Sequence, residues 1–142
     1  MTDFNKIFLD TAPFIYFLDS DINFGEKVRN IFSSILAQDK QMASSVISCA
    51  EYLVYPYRKN NISRINAFWK FVSDCDIELC SITSDIAVKS AQIRAEYKHF
   101  KQMDSLQLAA ACLQGCDLFL TNDKQLKQFQ EIDCITIEEW QT

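Results

Sequence analysis

The sequence predicts an α/β fold, a three-layer α/β/α arrangement around a central, mostly parallel sheet of four to five strands. Three observations carry this. Short β-rich runs alternate with segments of helical period, the pattern of a helix-covered sheet. Unbroken apolar runs such as Ile7-Phe8-Leu9 and Leu118-Phe119-Leu120 read as buried strands. At 142 residues, 49% of them apolar and only two proline and two glycine, the chain has material for a core and almost none for linkers, so residues 1–142 are expected to form one domain.

Strands are expected at Lys6 to Asp10, Ala43 to Ser48, Ile77 to Ile82, Leu118 to Thr121 and Cys134 to Ile137. Between them, "FGEKVRNIFSSILAQ" places Val28, Ile31, Phe32, Ile35 and Leu36 on one helical stripe. Ile62, Ile65, Phe68, Trp69 and Val72 repeat the pattern behind Asn60 or Asn61 as cap. Ser84 is placed to cap a third helix, with an apolar face through Ala87, Val88, Ala91 and Tyr97. "DSLQLAAACLQG" is the clearest helix: Asp104 opens it as N-cap, alanine and leucine favour it, and Gly115 stands where helices stop.

The N-terminal "MTDFNKIFLD" has neither the basic start nor the small-residue cleavage site of a secretory signal, and no apolar run approaches the roughly 20 residues that cross a bilayer. A cytoplasmic protein with no membrane association is expected. The six cysteines lack metal or redox spacing and fit reduced core thiols. A net charge of -5 argues against binding nucleic acid through a general positive field.

Acids recur where apolar strands end. Asp10 follows Ile7-Phe8-Leu9, and Asp123 follows Leu118-Phe119-Leu120 and Thr121-Asn122. Glu51 falls in the first turn expected for "CAEYLVYPYR", and Asp104 heads the alanine-rich helix. Helix capping accounts for each acid singly. Ser48-Cys49-Ala50-Glu51 matches a capping box, Asp104 pairs with Gln107, Asp123 can cap the last helix, and either Asp10 or Thr11 can cap the first. Capping does not require all four on one edge, which a doubly wound parallel sheet would produce. Four neighbouring carboxylates repel unless a cation neutralises them. An all-oxygen set suits Mg²⁺ or Mn²⁺, an ion able to hold a phosphodiester oxygen and activate water.

With these residues identified, the chain resembles the PIN-domain family and, in size, its single-domain VapC-type toxins. The likeness runs through "FLDTAPFIYFL", "SVISCAEYL" and "IRAEYKHFKQMDSLQLAAACLQGCDLFLTNDKQL" in family order. It implies a metal-dependent endoribonuclease whose acid quartet is Asp10, Glu51, Asp104 and Asp123, with Mg²⁺ or Mn²⁺ as cofactor. Thr11, Thr121 and, less closely, Ser48 match small polar positions that orient the acids or metal-bound water. The resemblance further implies an RNA substrate, an antitoxin partner and a homodimer. Ala12 departs from the Asn or Ser common after the DT pair, and the proline often found shortly before the third acid is absent.

Arg94, Lys98 and Lys101 recur at helical spacing ahead of Asp104 and offer a basic strip for RNA. Tyr55, Tyr57, Arg58 and Lys59 offer a second surface, although packing is the expected use of the tyrosines. His99, the only histidine, lacks a nucleophile motif and reads as a surface residue. An aspartyl-phosphate phosphatase would need an acid at position 12, which is Ala12, and a phospho-receiver would need one ending the strand "IELCSIT". The non-enzymatic alternative is a catalytically inactive PIN-like module that binds RNA or a partner.

Overall fold

The computed structural model describes residues 3–141. The apolar runs become the strands β1 (Lys6–Leu9), β2 (Gln41–Ser45), β3 (Glu78–Cys80), β4 (Leu118–Thr121) and β5 (Asp133–Thr136). They form one five-stranded sheet in the order β3-β2-β1-β4-β5, and every pairing is parallel. The expected sheet was mostly parallel. The observed one is wholly so among the described residues, because successive strands are joined by helical crossovers rather than hairpins.

The helices are α1 (Thr11–Leu18), α2 (Gly25–Ala37), α3 (Val46–Tyr52), α4 (Val54–Arg58), α5 (Ile62–Asp74), α6 (Ser84–Glu96) and α7 (Gln102–Leu113), with a 3₁₀ helix at Lys124–Gln128. Side-chain alternation along the strands divides the core into two layers. Ile7, Leu9, Leu118 and Leu120 face α1, α2, α3 and α5 in a cluster rich in rings, including Phe14, Phe32, Phe68 and Phe71. Phe8 and Phe119, stacked in register across β1 and β4 at 5.3 Å, face α6 and α7 on the other side. Three fully buried alanines, Ala109, Ala110 and Ala111, let α7 lie close against that face. No helix among the described residues is long and apolar enough to cross a membrane.

Two glycines cannot serve every helix end, and other residues take the left-handed position. Ser20, Asp39, Asn60, Asp76 and Gly115 all have positive φ. Each directly follows the C-cap of α1, α2, α4, α5 or α7. The paired bonds of the Schellman motif close each end, as in Gly115 N–H to Cys112 C=O and Cys116 N–H to Ala111 C=O.

Several expectations are corrected. β2 stops at Ser45, because the Ser45 hydroxyl accepts the Ile47 N–H and starts α3 there, drawing β-branched Val46 and Ile47 into helix. Ser48 therefore sits inside α3, and the Ser48–Glu51 capping box does not form; Glu51 lies near the helix's end. Asp104 is in the first turn of α7, whose N-cap is Lys101. Thr83, not Ser84, caps α6, and the buried face of that helix runs through Ile86, Ser90 and Ile93, leaving Ala87, Val88 and Ala91 exposed. In α2 the stripe is buried except Leu36. In α5 Phe68 and Phe71 are buried while Ile62 and Trp69 are exposed. The six cysteines are free thiols.

Candidate active site

Connections from β1 run one way through β2 and β3, then return to β4 and β5 on the other side. β1 and β4 are therefore adjacent strands at which the winding reverses. The crevice outside the carboxyl ends of such a pair is where open α/β sheets bind ligands. Asp10 follows β1 immediately, and Asp123 lies two residues beyond β4.

Asp10 caps α1 and is buried. Its Oδ1 accepts the Thr11 N–H at 2.8 Å, and its Oδ2 accepts the Thr121 hydroxyl at 2.8 Å. Burial pushes its pKa up to about 6 against the relief from those two bonds, and the charges of Asp104 and Glu51 push it further the same way. Thr121 Oγ1 also accepts the Asp123 N–H at 3.1 Å, so one buried hydroxyl links the chain at both strand-end acids. Asp123 in turn caps the 3₁₀ helix, its Oδ1 accepting the Gln125 N–H at 3.0 Å.

Asp104 is half-buried, and its pKa is raised by burial and by the charges of Asp123 and Glu51, opposed by Lys101. Glu51 is exposed, and its Oε1 accepts the Thr11 hydroxyl at 2.6 Å. The four acids thus share one electrostatic field at the carboxyl edge of the sheet. Among the described residues, no three His, Cys, Asp or Glu side chains are drawn together into a metal cage. The donor set suits a hard cation: it is all oxygen, and neighbouring acid charges help raise the pKa values of Asp10 and Asp104, a repulsion that a bound divalent ion would reverse.

Thr11 and Thr121 touch acids directly, as described. Ser48 does not; its hydroxyl is 2.9 Å from Ser44 Oγ and 3.4 Å from Thr11 Oγ1. The basic strip dissolves as a helical feature. Arg94 lies in the last turn of α6, Lys98 in the link to α7, and Lys101 caps α7, because α6 stops at Glu96 before the spacing can be used. All three are exposed, and Lys101 acts on Asp104. Tyr55 and Tyr57 are exposed rather than packed, since α4 is a short helix that buries Pro56, and Lys59 Nζ stands 5.6 Å from the Tyr55 ring centre. His99 is exposed.

Sequence reasoning missed the environment of Gln107, read only as a capping companion. It is 1% exposed and bonds to Ser45, Ser48 and Thr11. The available signal was a lone amide on the buried face of an alanine-rich helix, with Ser44, Ser45 and Ser48 clustered elsewhere in the chain.

Comparison with curated proteins finds no match. Among solved structures, the chain is similar to one in the crystal structure of VapBC2 from Rickettsia felis bound to a promoter DNA fragment, with TM-score 0.73 and 16% identity over 92% of this chain and 98% of that one. It is similar to one in FitAcB from Neisseria gonorrhoeae, with TM-score 0.72 and 17% identity over 94% and 99%. A toxin-antitoxin complex from Klebsiella pneumoniae gives TM-score 0.67 and 25% identity over 92% and 97%. A family model described as the PIN domain matches residues 7–132, from β1 through the 3₁₀ helix. On that match, the chain belongs to the PIN-domain family.

Proposed function

We propose that this protein is a Mg²⁺- or Mn²⁺-dependent endoribonuclease, a single-domain VapC-type toxin of a type II toxin-antitoxin pair, working in the cytoplasm as a homodimer restrained by an antitoxin. The observation that supports this reading best is the shared field of Asp10, Glu51, Asp104 and Asp123 at the point where the sheet's winding reverses. Those four residues would hold the ion. When bound, it supplies charge neutralisation at the scissile phosphate and lowers the pKa of water.

The chain's own residues prepare that chemistry. Thr121 and the Thr11 amide fix both oxygens of Asp10. Thr11 directs Glu51, and Lys101 moderates the charge at Asp104 while offering a cation to an approaching phosphate. The likeness to toxin-antitoxin structures supports an antitoxin partner.

Cleavage of structured and single-stranded RNA, with Mn²⁺ and with EDTA, tests the reading on wild type, Asp10→Ala and Asp104→Asn. Cleavage is expected from the wild type with Mn²⁺ alone. Full-rate hydrolysis by either variant would overturn the site; a wild type that binds RNA but cuts none would favour the inactive binding module.

A further inference from the structure

Behind the acids lies a chain of enclosed polar groups that no role above absorbs. Ser44, Ser45 and Ser48 are fully buried, and Gln107 nearly so. The direction of every proton in the chain follows from its ends. Ser44 Oγ donates to the Leu9 carbonyl at 2.7 Å, and Thr11 Oγ1 donates to Glu51 Oε1 at 2.6 Å. Carbonyl and carboxylate oxygens only accept, so both hydroxyl protons are committed. Ser48 then gives its proton to Ser44 across 2.9 Å.

The Ser48 and Thr11 oxygens are left presenting lone pairs, and Gln107 Nε2 faces both, at 3.0 and 3.5 Å. With no proton remaining between them, the Thr11 and Ser48 hydroxyls stand 3.4 Å apart. The amide orientation is fixed independently at its other end. Ser45 Oγ accepts the Ile47 N–H and donates to Gln107 Oε1 at 2.5 Å, which turns Nε2 toward Thr11 and Ser48. An acid, an apolar residue or a reversed amide at position 107 would break this order.

We propose that Gln107 is a positioning residue of the acid site: by donating to Thr11 it keeps the Thr11 hydroxyl turned toward Glu51. It acts on the acid through Thr11 and touches no substrate. This rests on the nuclease reading above, with Glu51 among the acids that hold the ion.

The test compares wild type, Gln107→Met, Thr11→Val and the double variant by calorimetric titration with Mn²⁺ and by RNA cleavage, with circular dichroism to verify folding. Gln107→Met is expected to weaken Mn²⁺ binding and lower kcat by about tenfold, the usual effect of losing a partner that orients a metal-holding group. Thr11→Val should do the same, and the double variant should lose little more than either single one, because both remove the same link. Wild-type Mn²⁺ affinity in folded Gln107→Met, or losses that add in full, would overturn the proposal while leaving the nuclease reading intact. A wild type that neither binds Mn²⁺ nor cuts RNA would overturn both. Should Gln107→Met not fold, Thr11→Ser against Thr11→Val decides: equal Mn²⁺ affinity in that pair sinks the proposal, and retention by serine alone supports it.

Discussion

In the floor of the acid site Asp10, Thr11, Ser48 and Gln107 are buried and each is held in hydrogen bonds, whereas on the rim Glu51 and Lys101 stand in solvent. The floor groups come from the β1–α1 junction, α1, α3 and α7, elements locked by the two layers of core. A polar group taken from water there must be matched by a partner of its own, so each floor residue depends on its neighbours. A rim group keeps its water and depends on them little. The contrast teaches where a substitution should act on folding and where on chemistry alone.

The largest effect is expected at Asp10, in opposite directions for activity and stability. Under the proposed reading, Asp10→Asn lowers RNA cleavage by about a hundredfold or more. In the metal-free protein the same change should stabilise the fold at pH 7. Because the pKa is raised from 3.8 to about 6, the folded state disfavours the charged form. That penalty is complete above the folded value, shrinks as pH falls through about 6, and is gone below the unfolded value near 3.8. A shift of this size corresponds to roughly 3 kcal/mol, the upper bound on the gain. Urea unfolding at pH 7.5 and below pH 4 measures it; an equal gain at both would break the buried-charge account of the floor.

A smaller effect separates floor from rim directly. Ser48→Val leaves the Gln107 amide and the Ser44 hydroxyl short of a partner and should destabilise by about 1–3 kcal/mol. Glu51→Gln, in solvent, should stay within about 0.5 kcal/mol of wild type. Similar unfolding midpoints for the two would erase the distinction.

The smallest effect belongs to Lys101. Lys101→Gln should slow RNA cleavage by about two- to threefold at low ionic strength and not at all at high salt, since exposed charges are screened. Its removal also lets the pKa of Asp104 climb further, because Lys101 opposes the rise. A loss that persists undiminished in high salt would move Lys101 from rim to floor.

Much of this was legible in the chain alone. Apolar runs of strand length ending in acids placed β1 and β4 and their Asp10 and Asp123 without reference to anything distant. The Gly115 stop is local and was read correctly, and of the two caps offered for α5, Asn60 or Asn61, the structure uses Asn61 while Asn60 takes the left-handed position after α4. The β2–α3 boundary was misread because Val46 and Ile47 favour strand, while a single hydroxyl, that of Ser45, could start the helix earlier. The face of α6 was misread because small apolar residues surround it. Ala87, Val88 and Ala91 offered as plausible a stripe as Ile86 and Ile93 until α7 and the segment bearing Phe129 and Ile132 selected the larger side chains.

The amino-acid order by itself determined element type, strand sequence and which acids end which strands, since these depend on propensity, periodicity and caps within a few residues. Only the tertiary structure decided that Asp10, Glu51, Asp104 and Asp123 share a field, and that Gln107 stands behind Thr11. Those relations join positions up to 113 residues apart in the chain, from Asp10 to Asp123. They arise from the packing of α3 and α7 around the end of β1, where burial forces each polar group to find a partner that no local pattern names.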